Sequence, residues 1–275
     1  MTAEYERYSL KYDLHTHTTF SHGKGSIEDN VKEAIKKGLS AIAISDHGPG
    51  HLTYGIKRES VPVMRAEIER LKKLYPQIEI FLSVEANVID CGNYLDVAKD
   101  EFSQYDFVIA GYHYGVRHGY CVQNYVFDHT RGRSDRKKSE NGAVYAINGG
   151  VSEAKGMQPC GTDAGGLLVK NTEMTLKAIY ENDLKILTHP GDKGPFDIAE
   201  IARACAQRGT LMEINNRHGH MTAAELKAIE RFDVKFIISS DAHVPEAVGC
   251  CENAVKRLLR SGIDPERVVN LREKA

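Results

Sequence analysis

Three histidines lie close together near the start of the chain, in the stretch DLHTHTTFSHGKGS, and they are His15, His17 and His22. His15 and His17 are two residues apart and follow a short apolar run, so in a β-strand their side chains would point to the same face. Neutral imidazole is the commonest metal ligand among protein side chains. Taken alone, the pair indicates either a metal site or a polar loop that is rich in histidine.

Five later apolar runs end at side chains that can bind or support a metal. The runs are AIAIS, IFLSV, FVIAGY, KILT and KFIISS, and the residues at their ends are Asp46, His47, Glu85, His113, His189, Asp241 and His243. In parallel α/β barrels the active site lies at the carboxyl ends of the strands, so these side chains would meet at one end of the fold. A single histidine after a strand is usually a structural residue. Five such ends, together with the first histidine pair, favour the metal site.

The runs that carry these residues alternate with amphipathic stretches, a pattern typical of a parallel sheet with crossover helices. Helix signals accompany several stretches: an apolar stripe between Ser26 and Gly38, a helix from near Asp197 to Gly209, and a TxxE capping box that begins at Thr222. With KYDL as the first strand, the chain contains about seven strand-and-helix units, fewer than the eight of a regular barrel. We therefore predict an α/β fold, a distorted barrel that forms one domain over residues 1–275.

One segment interrupts this pattern. From about residue 115 to 170 the sequence is polar and rich in glycine, and it lacks the periodicity of a helix or a strand. Long loops without regular structure are uncommon in compact domains and are usually functional or disordered. We expect a loop insertion there, either at the rim of the active site or as a solvated excursion.

The motifs at the strand ends resemble those of the PHP family, which is named for polymerase and histidinol phosphatase. In chain order they are DLHTHTTFSH, ISDHGPG, SVEAN, AGYH, THPGD and SSDAH. The resemblance covers nearly the whole chain outside the expected insertion. It implies a distorted (β/α)7 barrel, similar to a TIM barrel, with a metal cluster at the carboxyl ends of its strands.

The resemblance also implies three divalent ions, because all nine ligand positions of the family are filled in this chain. It assigns the first ion to His15, His17, Glu85 and Asp241. It assigns the second ion to His113, His189 and the shared Glu85, and the third to His22, His47 and His243. Imidazole and carboxylate ligands without thiolate suit Zn²⁺, Mn²⁺ or Fe²⁺, and the residue types do not distinguish these metals.

This ligand set predicts hydrolysis of a phosphate monoester. Three divalent ions against two ligand carboxylates would leave roughly +4 formal charge, which attracts a phosphate group. A hydroxide that bridges the metals would attack phosphorus, so Glu85 and Asp241 act by holding metals, and no protein nucleophile is needed. We expect Asp13 and Asp46 to orient histidine rings from outside the ligand set, and for Asp46 a cap of a turn is an equal alternative. The sequence identifies no general acid.

Candidate contacts to the substrate phosphate lie in two places. Arg217 follows the run LMEINN at the same end of the barrel, and Arg131 and Arg133 begin a basic run inside the expected insertion. A guanidinium can bind two phosphate oxygens at once, although charges of this kind are usually only solvated. His218 and His220 form a second histidine pair in a loop, which makes them weaker candidates for substrate contact.

The composition excludes some classes of partner. The chain has 36 Lys plus Arg against 38 Asp plus Glu, and the net charge of −2 provides no general surface for nucleic acid. The apolar runs are too short to span a membrane, and the charged N-terminus lacks the apolar core of a signal peptide. We therefore expect a cytoplasmic protein with a small phosphorylated substrate and without membrane association, and the oligomeric state stays open.

Several functions are consistent with these observations. The first is a metal-dependent phosphatase of a small molecule, with histidinol phosphate as one candidate substrate. The second is a nucleotide or nucleic-acid phosphodiesterase or nuclease, which only the basic run supports. The third is a metal-binding module without catalysis, which the absence of thiolate ligands disfavours because structural zinc sites are usually thiolate-rich.

Overall fold

The computed structural model describes residues 4–129 and 164–274 and contains a parallel sheet of seven strands. Numbered along the chain, the strands are β1 (Tyr8–Leu10), β2 (Tyr12–Thr16), β3 (Ala41–Ile44), β4 (Glu79–Asn87), β5 (Phe107–Gly111), β6 (Leu184–Leu187), β7 (Leu211–Asn215), β8 (Phe236–Ser239) and β9 (Leu271–Glu273). Strands β2 to β8 pair in chain order, and every neighbouring pair is parallel. Strands β1 and β9 form a separate antiparallel pair.

The sheet nearly closes into a barrel where its first and last strands meet. Thr16, at the end of β2, forms a parallel bridge with Ala242, which follows β8. The backbone N–H of His17 donates a hydrogen bond to the Ala242 carbonyl at 2.8 Å. The predicted distorted (β/α)7 barrel is therefore confirmed.

Helices connect most of the strands. They are α1 (Ile27–Lys36), α2 (Val61–Leu74), α3 (Cys121–Phe127), α4 (Ala164–Glu181), α5 (Ile198–Arg208), α6 (Ala223–Ile229) and α7 (Glu252–Ser261). Between β4 and β5 the only helical segment is a 3-10 helix, Lys99–Gln104, in this fully described stretch of the chain. The missing α-helix is one departure from a regular barrel.

The helix signals in the sequence are confirmed. Helix α1 begins after Ser26, whose side chain accepts a hydrogen bond from the backbone N–H of Asp29, and α6 begins in the same way after Thr222. Helix α5 begins after Asp197 and is followed by Gly209 at φ +71°, a left-handed conformation that glycine adopts without strain. These caps fix the start of each helix and thereby the length of the loop that precedes it.

The barrel interior has an apolar floor beneath a polar layer. The floor consists of Leu14, Ala43, Ile109, Ile186 and Ile237. Because side chains on a strand alternate between faces, Phe81 of β4 packs against the floor and Glu85, four residues later on the same face, lies in the polar layer. A larger apolar core lies between the sheet and the helices. The polar layer is therefore reached from the carboxyl ends of the strands.

A bulge in β2 brings its histidines to the interior. Asp13 pairs with Ile42 and Thr16 pairs with Ile44, so three steps along β2 match two steps along β3. The extra residue reverses the alternation of side chains. As a result, His15 and the residue before it, which is part of the floor, both face the barrel interior.

The expected insertion at about 115–170 differs from the structure at both ends. Residues 121–127 form α3, and α4 begins at Ala164, so part of the segment expected as a loop is helical. The amide side chains of Asn124 and Asn171 bond to each other and join the two helices. These helices were not predicted, because the segment is rich in glycine and lacks helical periodicity. The two helices are stabilised by contacts with each other, which the local sequence does not show.

Residues 130–163 lie outside the described residues. The basic candidates Arg131 and Arg133 are among them, so their role in phosphate binding stays a prediction. The single domain stays a prediction as well. Among the described residues, no helix is both long enough and apolar enough to cross a membrane.

Candidate metal centre

The carboxylate of Glu85 lies at the centre of a group of imidazoles. Its Oε2 atom is 3.0 Å from Nδ1 of His47. The same atom is 3.3 Å from Nε2 of His15 and 3.3 Å from Nε2 of His113. Its Oε1 atom is 2.8 Å from Nε2 of His189. One fully buried carboxylate therefore faces ring nitrogens that come from four different strands or the loops after them.

Asp241 forms a second meeting point. Its Oδ1 atom is 3.1 Å from Nε2 of His17 and 3.4 Å from Nδ1 of His243. The Nε2 atoms of His15 and His17 are 3.1 Å apart, which matches the convergence predicted from their spacing. His22 is exposed and completes the group, with its ring centroid 4.1 Å from that of His243. The structure thus brings all nine predicted ligand side chains together at the carboxyl ends of the strands.

Several of these atoms lack a hydrogen-bond partner. Buried atoms without a partner in the described parts of the chain include Nδ1 of His17, both ring nitrogens of His47, Nε2 of His113, Nδ1 of His189 and Oε2 of Glu85. A buried polar atom without a partner costs free energy, and native proteins contain few of them. A bound cation would satisfy such atoms. Imidazole and carboxylate donors without thiolate suit Zn²⁺, Mn²⁺ or Fe²⁺, so the residues present fit the predicted metals.

The donor atoms also cluster at distances that suit metal ions. Within the described ranges, ligand atoms lie within 4.8 Å of one another in three groups of predicted ligands: His15, His17 and Asp241; His17, His47 and His243; and His47, Glu85 and His113. A further group joins His189 and Asp241 to His218, which was a weaker candidate in the sequence. These groups overlap the three ligand sets that the resemblance implies. The number of bound metals stays a prediction.

The charges in the centre shift the protonation of its members. Burial by itself lowers the pKa of His15, but the carboxylates of Glu85, Glu213 and Asp241 outweigh burial and hold that pKa well above its usual value. Burial raises the pKa of Glu85, but neighbouring imidazoles, led by His113, hold it well below its usual value. The metal-free centre therefore combines ionised carboxylates with a protonated His15.

Other imidazoles of the centre are neutral at physiological pH. Burial is the main cause that lowers the pKa of His113 to about 3 and that of His243 to about 4. The pKa of His22 is lowered to about 3 although the residue is exposed, because one side of its ring is shielded from water and faces the rings of His243 and His47. Burial also lowers the pKa of His17 well below its usual value. Neutral imidazole is the form that binds a metal, so these side chains can act as ligands without first losing a proton.

Two side chains outside the predicted ligand set orient rings within it. Glu213 Oε1 is 2.8 Å from Nδ1 of His15, and Asn87 Oδ1 is 2.8 Å from Nδ1 of His113. In each ring the other nitrogen, Nε2, faces Glu85. Partners of this kind fix ring orientation at metal sites. Sequence reasoning missed both residues, although an acidic residue within the apolar strand LMEIN was a signal that could have identified Glu213.

Neither Asp13 nor Asp46 orients a histidine ring, and Asp46 instead caps a turn, which was the alternative expected for it. Asp46 accepts hydrogen bonds from the backbone N–H and the hydroxyl of Thr18 at 2.7 and 2.6 Å, and Asp13 accepts one from the hydroxyl of Ser240. Neighbouring residues in an extended segment face opposite sides, so Asp46 points away from the centre when His47 points into it. The two carboxylates thus fix the loops that follow β2 and β8, which corrects the expectation for Asp13 and agrees with the turn cap expected as the alternative for Asp46.

The guanidinium of Arg217 lies beside the ring of His243. Its Nη1 atom is 2.8 Å from Nδ1 and 3.0 Å from Nε2 of that ring. The same atom is 3.9 Å from Oδ1 of Asp241. The Arg217 side chain is 48% exposed, so part of the guanidinium remains accessible to a ligand. Its contact with a phosphate stays a prediction.

The two histidines of the second pair have different surroundings. His218 Nε2 is 3.1 Å from Asp241 Oδ2, and His218 Nδ1 is 2.9 Å from Asp192 Oδ2. Burial lowers the pKa of His218, but these two carboxylates outweigh burial and raise it to about 9. His220 lies instead against Glu225, with Nδ1 3.2 Å from Oε1. His218 therefore belongs to the centre and His220 does not.

The chain matches known proteins over most of its length. A family model described as PHP domain matches residues 13–217. A "Probable phosphatase" of Thermoanaerobacter sp. (strain X514) is 29% identical over 276 aligned residues, which cover 95% of this chain and 90% of that protein. A "Probable phosphatase" of Syntrophotalea carbinolica is 27% identical over 269 aligned residues, which cover 94% of this chain and 90% of that protein.

A solved structure has a similar fold. The crystal structure of histidinol phosphate phosphatase from Lactococcus lactis, in complex with zinc, L-histidinol and phosphate, matches with a TM-score of 0.55 and 19% sequence identity. The match covers 92% of this chain and 93% of that chain. At this identity the likeness supports the barrel fold alone. Because the family model extends over most of the chain, from β2 to the loop after β7, the chain belongs to the PHP domain family, as its ordered motifs predicted.

Proposed function

We propose that this protein hydrolyses a phosphate monoester of a small molecule at a centre of three divalent ions. The broader class, a metal-dependent phosphoesterase, follows from the family and from relatives that are named phosphatases. The observation that carries the proposal is the position of Glu85, which is fully buried among the ring nitrogens of four histidines, with an Oε2 atom that lacks a hydrogen-bond partner in the described chain. A carboxylate in this position is suited to bridge two cations.

The nine predicted ligands divide into three sets, and two of these sets share Glu85. The first ion would be held by His15, His17, Glu85 and Asp241, the second by His113, His189 and Glu85, and the third by His22, His47 and His243. When bound, divalent ions lower the pKa of a coordinated water and stabilise negative charge on phosphate oxygens. The nucleophile would therefore be a water molecule, and no side chain would have to act as one.

The chain's own contribution is to hold these ligands in place. Glu213 and Asn87 fix the rings of His15 and His113, so that the Nε2 atom of each ring is directed toward Glu85. The Thr188 hydroxyl donates a hydrogen bond to Oε1 of Glu85 at 2.7 Å and limits its rotation. The apolar floor excludes water from beneath the centre. A substrate would therefore approach from the carboxyl ends of the strands.

Arg217 is the candidate for binding the substrate phosphate. Its guanidinium lies beside His243 and is about half exposed, so it borders both the metal ligands and the solvent. Guanidinium groups bind phosphate oxygens in pairs, which fixes orientation as well as charge. In this position Arg217 would hold a phosphate against the centre.

Histidinol phosphate is one candidate substrate, because the protein from Lactococcus lactis with a similar fold is a histidinol phosphate phosphatase. The alternative, hydrolysis of a phosphodiester in a nucleotide or nucleic acid, drew on the basic run that begins at Arg131 and Arg133. Those residues lie outside the described residues, and the net charge of −2 does not favour a nucleic-acid partner. We therefore propose the monoester.

The test is a phosphate-release assay on metal-free protein that has been reloaded with Zn²⁺ or Mn²⁺. The panel contains an aryl phosphate, histidinol phosphate, other small phosphomonoesters and an aryl phosphodiester. We expect release from monoesters that chelation abolishes and added metal restores. Elemental analysis of the same samples counts the bound ions.

A matched pair of variants on one strand controls this assay. Glu85→Gln removes the shared carboxylate and should lower turnover by orders of magnitude, whereas Glu79→Gln, at the exposed opposite end of β4, should leave it unchanged. Turnover of the diester alone would overturn the monoester proposal. Bound metal without hydrolysis of any substrate would support a metal-binding module and overturn the catalytic proposal.

A further inference from the structure

The carboxylate of Asp241 has different surroundings at its two oxygens. Oδ1 faces the predicted ligands, 3.1 Å from Nε2 of His17 and 3.8 Å from Nε2 of His15. Oδ2 faces the loop after β7, where the Asn215 side chain donates a hydrogen bond to it at 3.2 Å and His218 Nε2 lies 3.1 Å away. Oδ1 is therefore the oxygen that is directed toward the metal centre.

His218 is itself held from its other side. Its Nδ1 atom is 2.9 Å from Oδ2 of Asp192, a residue of the loop after β6. Each ring nitrogen of His218 thus lies against a carboxylate oxygen, and the ring connects Asp192 to Asp241. This row of three side chains joins the loops that follow three consecutive strands, β6, β7 and β8.

The backbone that leads to His218 is also held in place. Asn215, the last residue of β7, accepts hydrogen bonds through Oδ1 from the backbone N–H groups of Arg217 at 2.8 Å and His218 at 2.9 Å. The same side chain donates through Nδ2 to Glu213 and Asp241. One amide therefore sets the course of the loop and places the His218 ring within reach of Asp241.

We propose that His218, held by Asp192, is a positioning residue that fixes the carboxylate of Asp241 so that Oδ1 faces the metal centre. This inference rests on the proposed function, because it assumes that Asp241 is a metal ligand. Replacing a side chain that holds a metal ligand in place lowers metal affinity about 10- to 100-fold. His218 was a weak candidate for substrate contact in the sequence, and here it has a different role, acting through Asp241.

The alternative is that His218 is itself a ligand, because its ring atoms lie close enough to those of His189 and Asp241 to share an ion. The two roles predict different results. If His218 is a ligand, its removal should release an ion, and a replacement that only donates a hydrogen bond should not restore that ion. A positioning residue that is removed leaves the number of ions unchanged and weakens their binding.

The experiment uses the full-length protein loaded with Zn²⁺ or Co²⁺. His218→Ala removes both ring contacts, and His218→Gln keeps an amide donor that can reach Asp241. His220→Gln is the matched control, because His220 lies in the same loop and contacts Glu225 instead of the centre. The measurements are metals per chain, metal affinity against a competing chelator, the visible absorption of the Co²⁺ form and the thermal unfolding temperature.

We expect His218→Ala to bind the same number of metals as wild type, with an affinity about 10- to 100-fold lower and a changed Co²⁺ spectrum. His218→Gln should recover much of the affinity, and His220→Gln should keep the wild-type affinity and spectrum even if its unfolding temperature falls. Wild-type affinity and spectrum in His218→Ala would overturn the inference. The loss of one ion that His218→Gln fails to restore would also overturn it, in favour of a ligand role.

The outcomes separate this inference from the proposed function. If the wild-type protein binds metal and releases phosphate while His218→Ala behaves like wild type, only the positioning role fails. If the wild-type protein binds no metal, the proposed function fails, and the positioning role fails with it.

Discussion

Oε1 of Glu213 lies 2.8 Å from Nδ1 of His15, and both side chains are fully buried. The second oxygen, Oε2, accepts hydrogen bonds from the backbone N–H of His189 at 2.7 Å and from Asn215 at 2.9 Å. Glu213 thus connects a ring and a backbone segment that belong to two different ligand sets. Since a buried carboxylate with three partners has little freedom to move, it holds His15 with Nε2 toward Glu85.

Glu213→Gln should weaken metal binding without removing a ligand. The amide keeps the shape of the side chain but loses the charge that favours the His15 Nδ1–H group, so we expect a fall in metal affinity of about 10- to 100-fold. Chelator competition measures the affinity, and Glu79→Gln, at the exposed start of β4 and far from the centre, serves as the control for replacing a glutamate by glutamine. An unchanged affinity in Glu213→Gln would show that His15 does not need this partner.

Metal binding should release a proton from His15. Burial alone lowers the pKa of this ring, but Glu85, Glu213 and Asp241 outweigh burial and hold it well above its usual value, so the metal-free protein keeps His15 protonated at pH 6. A metal needs the unprotonated Nε2 atom, whereas His17 and His113 are already neutral because burial lowers the pKa of each well below its usual value. We therefore expect release of about one proton at pH 6, where a coordinated water, whose pKa is lowered to about 7, still keeps its proton.

Titration calorimetry in two buffers with different ionisation enthalpies measures that number. His218, with a pKa raised to about 9, does not release its proton unless it is a ligand. A release near zero would mean that His15 is not a ligand. A release of about two protons would indicate that His218 binds a metal as well.

Much of the fold could be predicted from the sequence because its elements depend on local signals. Runs such as AIAIS and FVIAG became β3 and β5, and the Ser26 and Thr222 caps start the helices that they predicted. The bulge in β2 was not predictable, since the histidine spacing is the same with or without it. The pairing of β1 with β9 was also missed, because the two strands lie at opposite ends of the chain.

The residues predicted as ligands do meet in the structure, because most of them follow an apolar run and the family resemblance completes the set, whereas the residues that support them were not predicted. Asn87 ends β4, and nothing in the neighbouring sequence shows that the His113 ring lies beside it. The acidic residue in the apolar run LMEIN marks Glu213 as unusual, but it does not show that Glu213 faces the ring of His15. His218 and His220 have the same local pattern, yet only His218 reaches Asp241, because their partners come from different parts of the fold. The residues that hold the rings in place are defined by the tertiary structure, whereas the position of the predicted ligands after strands can be read from the local sequence.

Gly111→Ala should disturb the centre through packing. A Cβ atom at Gly111 would overlap the Thr188 hydroxyl oxygen and lie 3.0 Å from Cε1 of His189. Thr188 donates to Glu85 at 2.7 Å, so its displacement would release the shared carboxylate. We expect a loss of about 1–3 kcal/mol in the free energy of unfolding, as for other overpacked sites, together with weaker metal binding. Denaturant unfolding measures the first effect, and Gly219→Ala, where a Cβ meets no atom within 4 Å, is the control.

Arg217→Met should raise KM more than it lowers kcat. The guanidinium lies 2.8 Å from the His243 ring and is about half exposed, so it can bind a phosphate before and during the reaction. Loss of a charge-assisted hydrogen bond costs about 1.5–3 kcal/mol, which corresponds to a rise in KM of about 10- to 100-fold. Arg217→Lys should recover part of the loss, because an ammonium keeps the charge without the paired geometry.

Steady-state kinetics on a phosphomonoester, with inorganic phosphate as a competitive inhibitor, measure KM and the inhibition constant. Arg208→Met, at the exposed end of α5, is the control. If KM and the inhibition constant both stay at wild-type values in Arg217→Met, phosphate is bound elsewhere and the side chain is only solvated.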